Sequence, residues 1–324
     1  MENQDVQQPV PAFPPGGPLR QPPASALAPF LPVLELRSRV LQAIRGWFVE
    51  HGFVEVETPV RLAAPALELH VDAEPAGDHF LRTSPELHMK RLLAAGAQRI
   101  FQLGPCFRRG ERGRLHNPEY TMLEWYRANA TYADILLDTK LLILAVARAV
   151  KGTTDLTYQG RPLLLAPVWE RLTVAQAFLE YAGWDPVQRY DAARFDFDLV
   201  DKVEPKLPRE VPVILTDYPA AAAALSRRKP GQPEVAERWE LYLAGVEIAN
   251  AYSELTDPVE QRARFADHAR QRAAAGKPVY PLDEEFLADL AHLPPAGGIA
   301  LGVDRLVMIL ADLATLSDLL PFRE

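Results

Sequence analysis

The sequence predicts an α+β domain. Two stretches repeat their apolar residues at helical spacing, Val33 to His51 and Tyr132 to Val150. Two others, Arg99 to Phe107 and Tyr120 to Arg127, read as strands between them. Helices and strands therefore intermix along the chain.

The elements follow in order. Residues 1 to about 32 hold nine prolines between Pro9 and Pro32, with Gly16 and Gly17 among them. Proline has a fixed φ and no amide donor, so this stretch reads as an extended or disordered arm before a domain at 33–324. Leu36, Val40, Ile44, Trp47 and Phe48 form the apolar stripe of the first helix, which Gly52 ends. Phe53 to Glu57 alternates like a strand, and Pro59 stops it. Ser84-Pro85-Glu86 reads as a helix start, since serine caps and proline suits the first turn. Residues 151–235, rich in Pro, Ala and Asp, are expected as a helical insertion. No internal repeat is present.

Composition bounds the function. The chain has 324 residues, 48% hydrophobic and 24% charged, an ordinary globular balance that can build a sizeable core. Its formal net charge is −8, so it is not an obvious partner for a nucleic-acid backbone unless a basic patch is local. Cys106 is the one cysteine, which excludes an internal disulfide and a cysteine zinc cluster. The most apolar run, Leu141 to Val150, is too short to cross a bilayer, and the polar N-terminus lacks a signal pattern. A cytoplasmic protein without membrane contact is expected.

Three constellations could carry chemistry. In the first, Phe107 and Arg108 lead into a polar loop with Arg109, Arg112, Arg114 and His116, followed by a strand whose period of two puts Tyr120, Met122, Glu124 and Tyr126 on one face. That surface combines cations for phosphates, an aromatic for a base and a carboxylate for an ammonium group. The charges alone would also suit an exposed basic loop. In the second, Ala244-Gly245 makes a two-residue turn that pairs Leu243 with Val246, Tyr242 with Glu247 and Glu240 with Ala249. Glu240 and Glu247 then become diagonal neighbours able to share Mg²⁺ with phosphate oxygens, or else solvated acids on a surface hairpin. Asn250, Tyr252 and Glu254 fall on the opposite face unless a bulge near Ala249 reunites the two sets. In the third, an apolar strand passes Ala300 and Gly302 into a helix that starts with Asp304 and Arg305. A cation there opposes the helix dipole and calls for an anionic or aromatic partner. In isolation this segment reads as a packing turn.

Together these runs become specific. Glu55-Val56-Glu57-Thr58-Pro59, Phe107-Arg108 with His116-Asn117-Pro118-Glu119-Tyr120, and Gly302-Val303-Asp304-Arg305 resemble, in order, the three motifs of class II aminoacyl-tRNA synthetases. Thr121 to Tyr126 and Asn250 to Asp257 resemble the lysine branch of that family, and the likeness runs from about Val33 to about Leu310. The resemblance implies an antiparallel sheet flanked by helices, a homodimer formed through the first motif, and ATP with Mg²⁺ as cofactors. It implies that Arg108 holds the α-phosphate and the reacting carboxylate, with Arg305 as the second catalytic cation. Tyr120 and Arg305 would sandwich adenine. Arg109, Gly110, Glu111, His116, Asn117, Ile248 and Gly302 would complete the ATP site. Glu240 and Glu247 would hold Mg²⁺. Glu86, Glu124, Tyr126, Asn250, Tyr252 and Glu254 would line the amino-acid pocket, with Ser84, Pro85 and Ala300 shaping it. Carboxylates suit a substrate with two ammonium groups.

Three departures from the lysyl-tRNA synthetase pattern sharpen the expectation. Where those synthetases carry an anticodon-binding barrel before the catalytic region, this sequence reads only as the proline-rich stretch. Ala300 stands where those synthetases carry glycine. Gly110 stands where the second motif usually carries a glutamate, leaving Glu111 as its substitute. The first two features, and the run from His116 to Arg127, are similar to the stand-alone paralogues that lysylate elongation factor P. The expected activity is adenylation of lysine or (R)-β-lysine and transfer to a lysine side chain of elongation factor P, with transfer RNA not expected as acceptor. The rival expectations are a truncated synthetase that charges tRNA and an inactive regulatory paralogue.

Overall fold

The computed structural model describes residues 25–166, 168–223 and 225–322. The greater part of the proline-rich arm lies outside them, and helix has already begun at Leu31. The predicted apolar stripe of α1 (Leu31–Glu50) is buried at Leu36, Val40, Ile44, Trp47 and Phe48. The alternating run after it is reduced to β1 (Val54–Glu55), followed by a small sheet of β2 (Arg61–Leu62), β3 (Pro75–Ala76) and β4 (His79–Leu81). Helix α2 (Glu86–Ala94) starts where Ser84 predicts, and the serine hydroxyl accepts the Glu86 amide at 2.9 Å.

The long hairpin of β5 (Arg99–Phe107) and β6 (Glu119–Ala128) and helix α3 (Tyr132–Lys151) match the expected ranges closely. The expected helical insertion at 151–235 does not hold. That stretch contains a hairpin, β7 (Asp155–Tyr158) with β8 (Arg161–Leu164), then β9 (Glu170–Thr173), short helices α4 (Val174–Tyr181) and α5 (Ala192–Asp198), β10 (Val213–Pro219), β11 (Arg228–Lys229) and the start of β12 (Gln232–Leu243). Val213, Ile214 and Leu215 are all buried, so β10 lacks the alternation that marks a strand with one wet face. The chain then runs through β13 (Val246–Ser253), α6 (Pro258–Ala274), α7 (Glu284–Leu290), β14 (Ala296–Gly302) and α8 (Val303–Leu310).

Nine strands form the main sheet in the order β1-β5-β6-β14-β13-β12-β10-β9, with β11 paired to β12. From β5 to β10 every pairing is antiparallel, as expected, while β1 and β9 join the two ends in parallel. Alternation divides the sheet into two faces. Leu123 and Trp125, Ile299 and Leu301, Ala249 and Ala251, and Trp239 and Leu241 join residues of α1, α3 and α8 in the main core. The intervening residues Met122, Glu124 and Tyr126, Ala300, Asn250 and Tyr252, and Arg238 and Glu240 point the other way. No helix among the described residues is long and apolar enough to cross a membrane.

Asp304, in the first turn of α8, joins three separate elements. Its carboxylate accepts Arg37 of α1 at 2.6 Å and the Thr121 amide of β6 at 2.8 Å, while Arg37 also donates to the Thr121 hydroxyl at 2.7 Å. An acid at a helix N-terminus is favoured, and here it also satisfies a half-buried guanidinium. Asp304→Ala should therefore leave Arg37 without its carboxylate partner and lower folding stability by about 3 kcal/mol in urea unfolding. An unchanged midpoint would mean that the triangle contributes nothing.

Candidate active site

The polar face of the sheet is walled into two adjoining cavities, of about 340 Å³ and 50 Å³. Glu68, Arg108, Met122, Asn250 and Ala300 line both.

The larger cavity collects the cations. Arg108 directly follows β5 at the start of the loop, and its guanidinium carbon lies 5.3 Å from the centre of the Tyr120 ring. Arg305, which also lines this cavity, answers the helix-dipole problem with an anionic partner. It donates to the Glu247 carbonyl at 2.8 Å and to the Glu247 carboxylate at 3.0 Å. It also donates to His116 Nε2 at 2.8 Å, which requires a neutral ring protonated on Nδ1. Burial and the Arg305 charge lower the His116 pKa, which favours the neutral ring. Asn117, Ile248 and Gly302 are also walls. Among the described residues, its two chain neighbours aside, nothing lies closer than 3.8 Å to a Cβ built on Gly302, so packing does not explain glycine at this wall of the cavity. Arg109 and Gly110 are exposed and do not line the cavity, contrary to expectation. Gly110 instead has φ +77° and turns the chain, bringing Glu111 onto the wall.

The carboxylate hairpin is close to its expected form. Ala244 and Gly245 have φ values of 50° and 78°, the two-residue turn anticipated, and Leu243 faces Val246 while Tyr242 faces Glu247. Beyond that the register corrects the expectation. Glu240 faces Asn250, and Leu241 faces Ala249. The extra residue is Ile248, one position before the anticipated bulge. It sends Glu247 and Asn250 to the same cavity despite their odd spacing. Glu240 is held by Arg238 at 2.5 Å and by the Tyr242 hydroxyl at 2.8 Å. Glu204 approaches the same hydroxyl at 3.1 Å, and its pKa is pushed up to about 7 by burial, with repulsion from Glu240 and Glu247. Negative charge is thus crowded beside the cavity, a fit for a divalent cation. Among the described residues no group of three or more His, Cys, Asp or Glu side chains is arranged to hold a metal unaided. Glu240 and Glu247 suit an ion that shares its coordination with phosphate.

The smaller cavity collects acids. Glu124 lies on its floor, accepting Ser84 at 2.6 Å and Tyr126 at 2.8 Å. Its pKa is pushed up to about 8, by burial first and then by Glu86. Glu86, Tyr126, Asn250, Tyr252 and Ala300 are further walls. Pro85 precedes α2 without lining the cavity. Glu254 also departs from expectation. It is fully buried behind the wall and pairs with Lys90 at 2.5 Å, and Lys90 in turn reaches Glu86 at 2.6 Å. Burial opposes the Lys90 charge, but Glu254 and Glu86 more than offset it and raise its pKa. A Cβ on Gly298 would collide with the Tyr126 ring and the Glu254 carboxylate, so only glycine lets these two approach.

Arg238, Glu204, Lys90 and Glu68 were not anticipated. Arg238 had a signal, since it lies two residues before Glu240 on one strand face. Lys90 had one too, four residues after Glu86 on a helix. Glu204 and Glu68 sit in segments without usable periodicity.

Comparison with known proteins gives a consistent picture. A family model described as tRNA synthetases class II (D, K and N) matches residues 30–324. The lysine–tRNA ligase of Moorella thermoacetica is 39% identical over 312 residues, covering 88% of this chain and 64% of that protein. Those of Carboxydothermus hydrogenoformans and Pelotomaculum thermopropionicum are 37% and 36% identical, with 89% and 90% of this chain covered. The chain spans 64%, 64% and 63% of these three relatives.

The Glu124 environment predicts a pH dependence. Its folded pKa of about 8 exceeds the ordinary 4.5, so between those values the folded chain holds a proton that the unfolded chain has lost. Stability at this group therefore falls as pH rises across that window and levels off above it. Melting temperatures measured from pH 5 to 8 should show Glu124→Gln gaining on the wild type as pH rises. Parallel curves would place the titration elsewhere.

Proposed function

The chain belongs to the class II tRNA synthetase family (D, K and N), and from that premise we propose that it activates a lysine-type diamino acid with ATP and transfers it to a lysine side chain of elongation factor P. The observation that carries this reading is the meeting of a cation-lined and a carboxylate-lined cavity at Arg108. Triphosphate belongs in the first and an ammonium-bearing side chain in the second, so the carboxylate to be activated would meet the α-phosphate at Arg108.

One oxygen of the amino-acid carboxylate attacks the α-phosphorus, and the bond to the bridging oxygen of pyrophosphate breaks. The protein's contribution is to position the reactants and offset developing charge through Arg108 and Arg305. Tyr120 and Arg305 would flank adenine, with Glu111, His116, Asn117, Ile248 and Gly302 around the nucleotide. Glu240 and Glu247 would hold Mg²⁺, which supplies charge neutralisation for the phosphates. In the second half-reaction the acceptor amine attacks the acyl carbon. The bond to AMP breaks, and the amine loses its proton.

Two features favour a protein acceptor. Ala300 adds a methyl group between Glu124 and Asn250, its register partners, where the resemblance expects glycine. A net charge of −8 is poorly matched to a tRNA backbone. Such an acceptor places the reaction in the cytoplasm. Exposed Val54 beside Val56 and Leu92, around a groove of about 300 Å³ at the sheet edge, supports a homodimer through this end. The lysine–tRNA ligase relatives favour a second reading, tRNA charging. Retention of Arg108, Glu240, Glu247 and Arg305 speaks against an inactive paralogue.

Intact-mass spectrometry of elongation factor P after incubation with the chain, ATP, Mg²⁺ and either lysine or (R)-β-lysine tests the proposal. A mass gain with a larger yield from (R)-β-lysine is expected, with no acylation of tRNA in parallel. Arg108→Ala should lower the adenylation rate by about 100-fold or more. Acylation of tRNA alone would establish the second reading instead.

A further inference from the structure

The junction of the two cavities is bordered by a residue outside the motifs. Glu68 lies in the irregular loop between β2 and β3, and lines both cavities. The loop is held from behind by Arg272, which is fully buried near the end of α6. The Arg272 guanidinium donates to the carbonyls of Glu68 at 2.8 Å and Val71 at 2.9 Å, and to the Asp72 carboxylate at 2.6 Å. His268 adds a hydrogen bond to the Leu67 carbonyl at 3.0 Å, and the Tyr280 hydroxyl accepts the Ala73 amide at 2.8 Å. Burying an arginine is costly unless its donors are satisfied, and here they are used to fix one loop conformation.

What that loop presents is an uncommitted carboxylate. Glu86 and Glu254 are ion-paired with Lys90, and Glu124 accepts two hydroxyl groups. Among the described residues, the Glu68 carboxylate has neither a hydrogen bond nor an ion pair within 4.0 Å. Burial raises its pKa, Arg108 and Arg238 pull against that, and Glu86 and Glu111 add to it. The Asn250 side-chain oxygen, which also borders the junction, is buried with no partner. Two acceptors therefore wait beside the cation that meets the reacting carboxylate.

We propose that Glu68, with Asn250, binds the amino group nearest the reacting carboxylate and so makes the site select diamino acids over ω-amino acids that lack this group. The inference rests on the adenylation reading and identifies the group that reads one end of its substrate. With the carboxylate at Arg108 and the distal ammonium group in the smaller cavity, an amine on the α- or β-carbon falls at the junction. A charged acceptor there contributes more than a neutral one.

Amino-acid-dependent ATP–pyrophosphate exchange on the full chain tests it, with lysine and (R)-β-lysine as substrates and 6-aminohexanoate as competitive inhibitor. Glu68→Gln should raise KM for the better diamino acid about tenfold or more, while KM for ATP and Ki for 6-aminohexanoate stay within about twofold. Glu68→Asp keeps the charge on a shorter arm. It should show the same selective loss in weaker form, and it serves the comparison if the amide variant does not fold. An equal loss for all three compounds, or none for the diamino acids, would overturn the inference. Absence of exchange by the wild type with either diamino acid would instead remove the adenylation reading beneath it.

Discussion

The Asp304 carboxylate is the contact on which the site geometry depends. It ties the first helix, the strand that carries Tyr120 to Tyr126 and the helix that carries Arg305. These elements are far apart in sequence, and their polar side chains can converge only if their backbones are held in fixed relation. A charged triangle achieves this directionally, whereas apolar packing alone would tolerate sliding. Arg82 works similarly, joining the Thr58 carbonyl at 3.0 Å to the Pro105 carbonyl at 2.9 Å.

The same sheet supports opposite environments on its two faces. One face is built of Leu, Ile, Ala and Trp side chains against three helices, and its burial supplies the hydrophobic stabilisation that the polar face lacks. On the other face, ionisable groups are drawn out of water and mostly neutralise one another. Glu240 meets Arg238, Glu247 meets Arg305, and Glu254 and Glu86 share Lys90. Such pairs add little net stability, because desolvation offsets most of the attraction. Their value is a charged surface that is already in place, fixed by the fold rather than assembled around a bound group.

Much of this was legible because strict periods leave few choices. The hairpin of β5 and β6 followed from alternation, and the Ala244-Gly245 turn set the register of Glu247 from its neighbours. The register failed at Ile248, since a bulge depends on the whole sheet's twist and has no local mark in Val246 to Ala249. Residues 151–235 misled for a related reason. A strand buried on both faces, such as Val213 to Leu215, loses the alternation that distinguishes strand from helix. Glu254 was recognised by its motif, yet its partner Lys90 lies on a different element, so its withdrawal from the cavity was invisible in one dimension. Glu68 had no signal at all, because irregular loops are shaped by what grips them.

That grip has a consequence for how such a protein could change over evolutionary time. Arg272 holds the loop largely through main-chain carbonyls, which every amino acid possesses. The loop's path is therefore nearly indifferent to which side chain stands at position 68. Shape and chemistry are encoded separately there, so the group displayed on that wall could change by exchanging a single side chain without first rebuilding the fold that displays it.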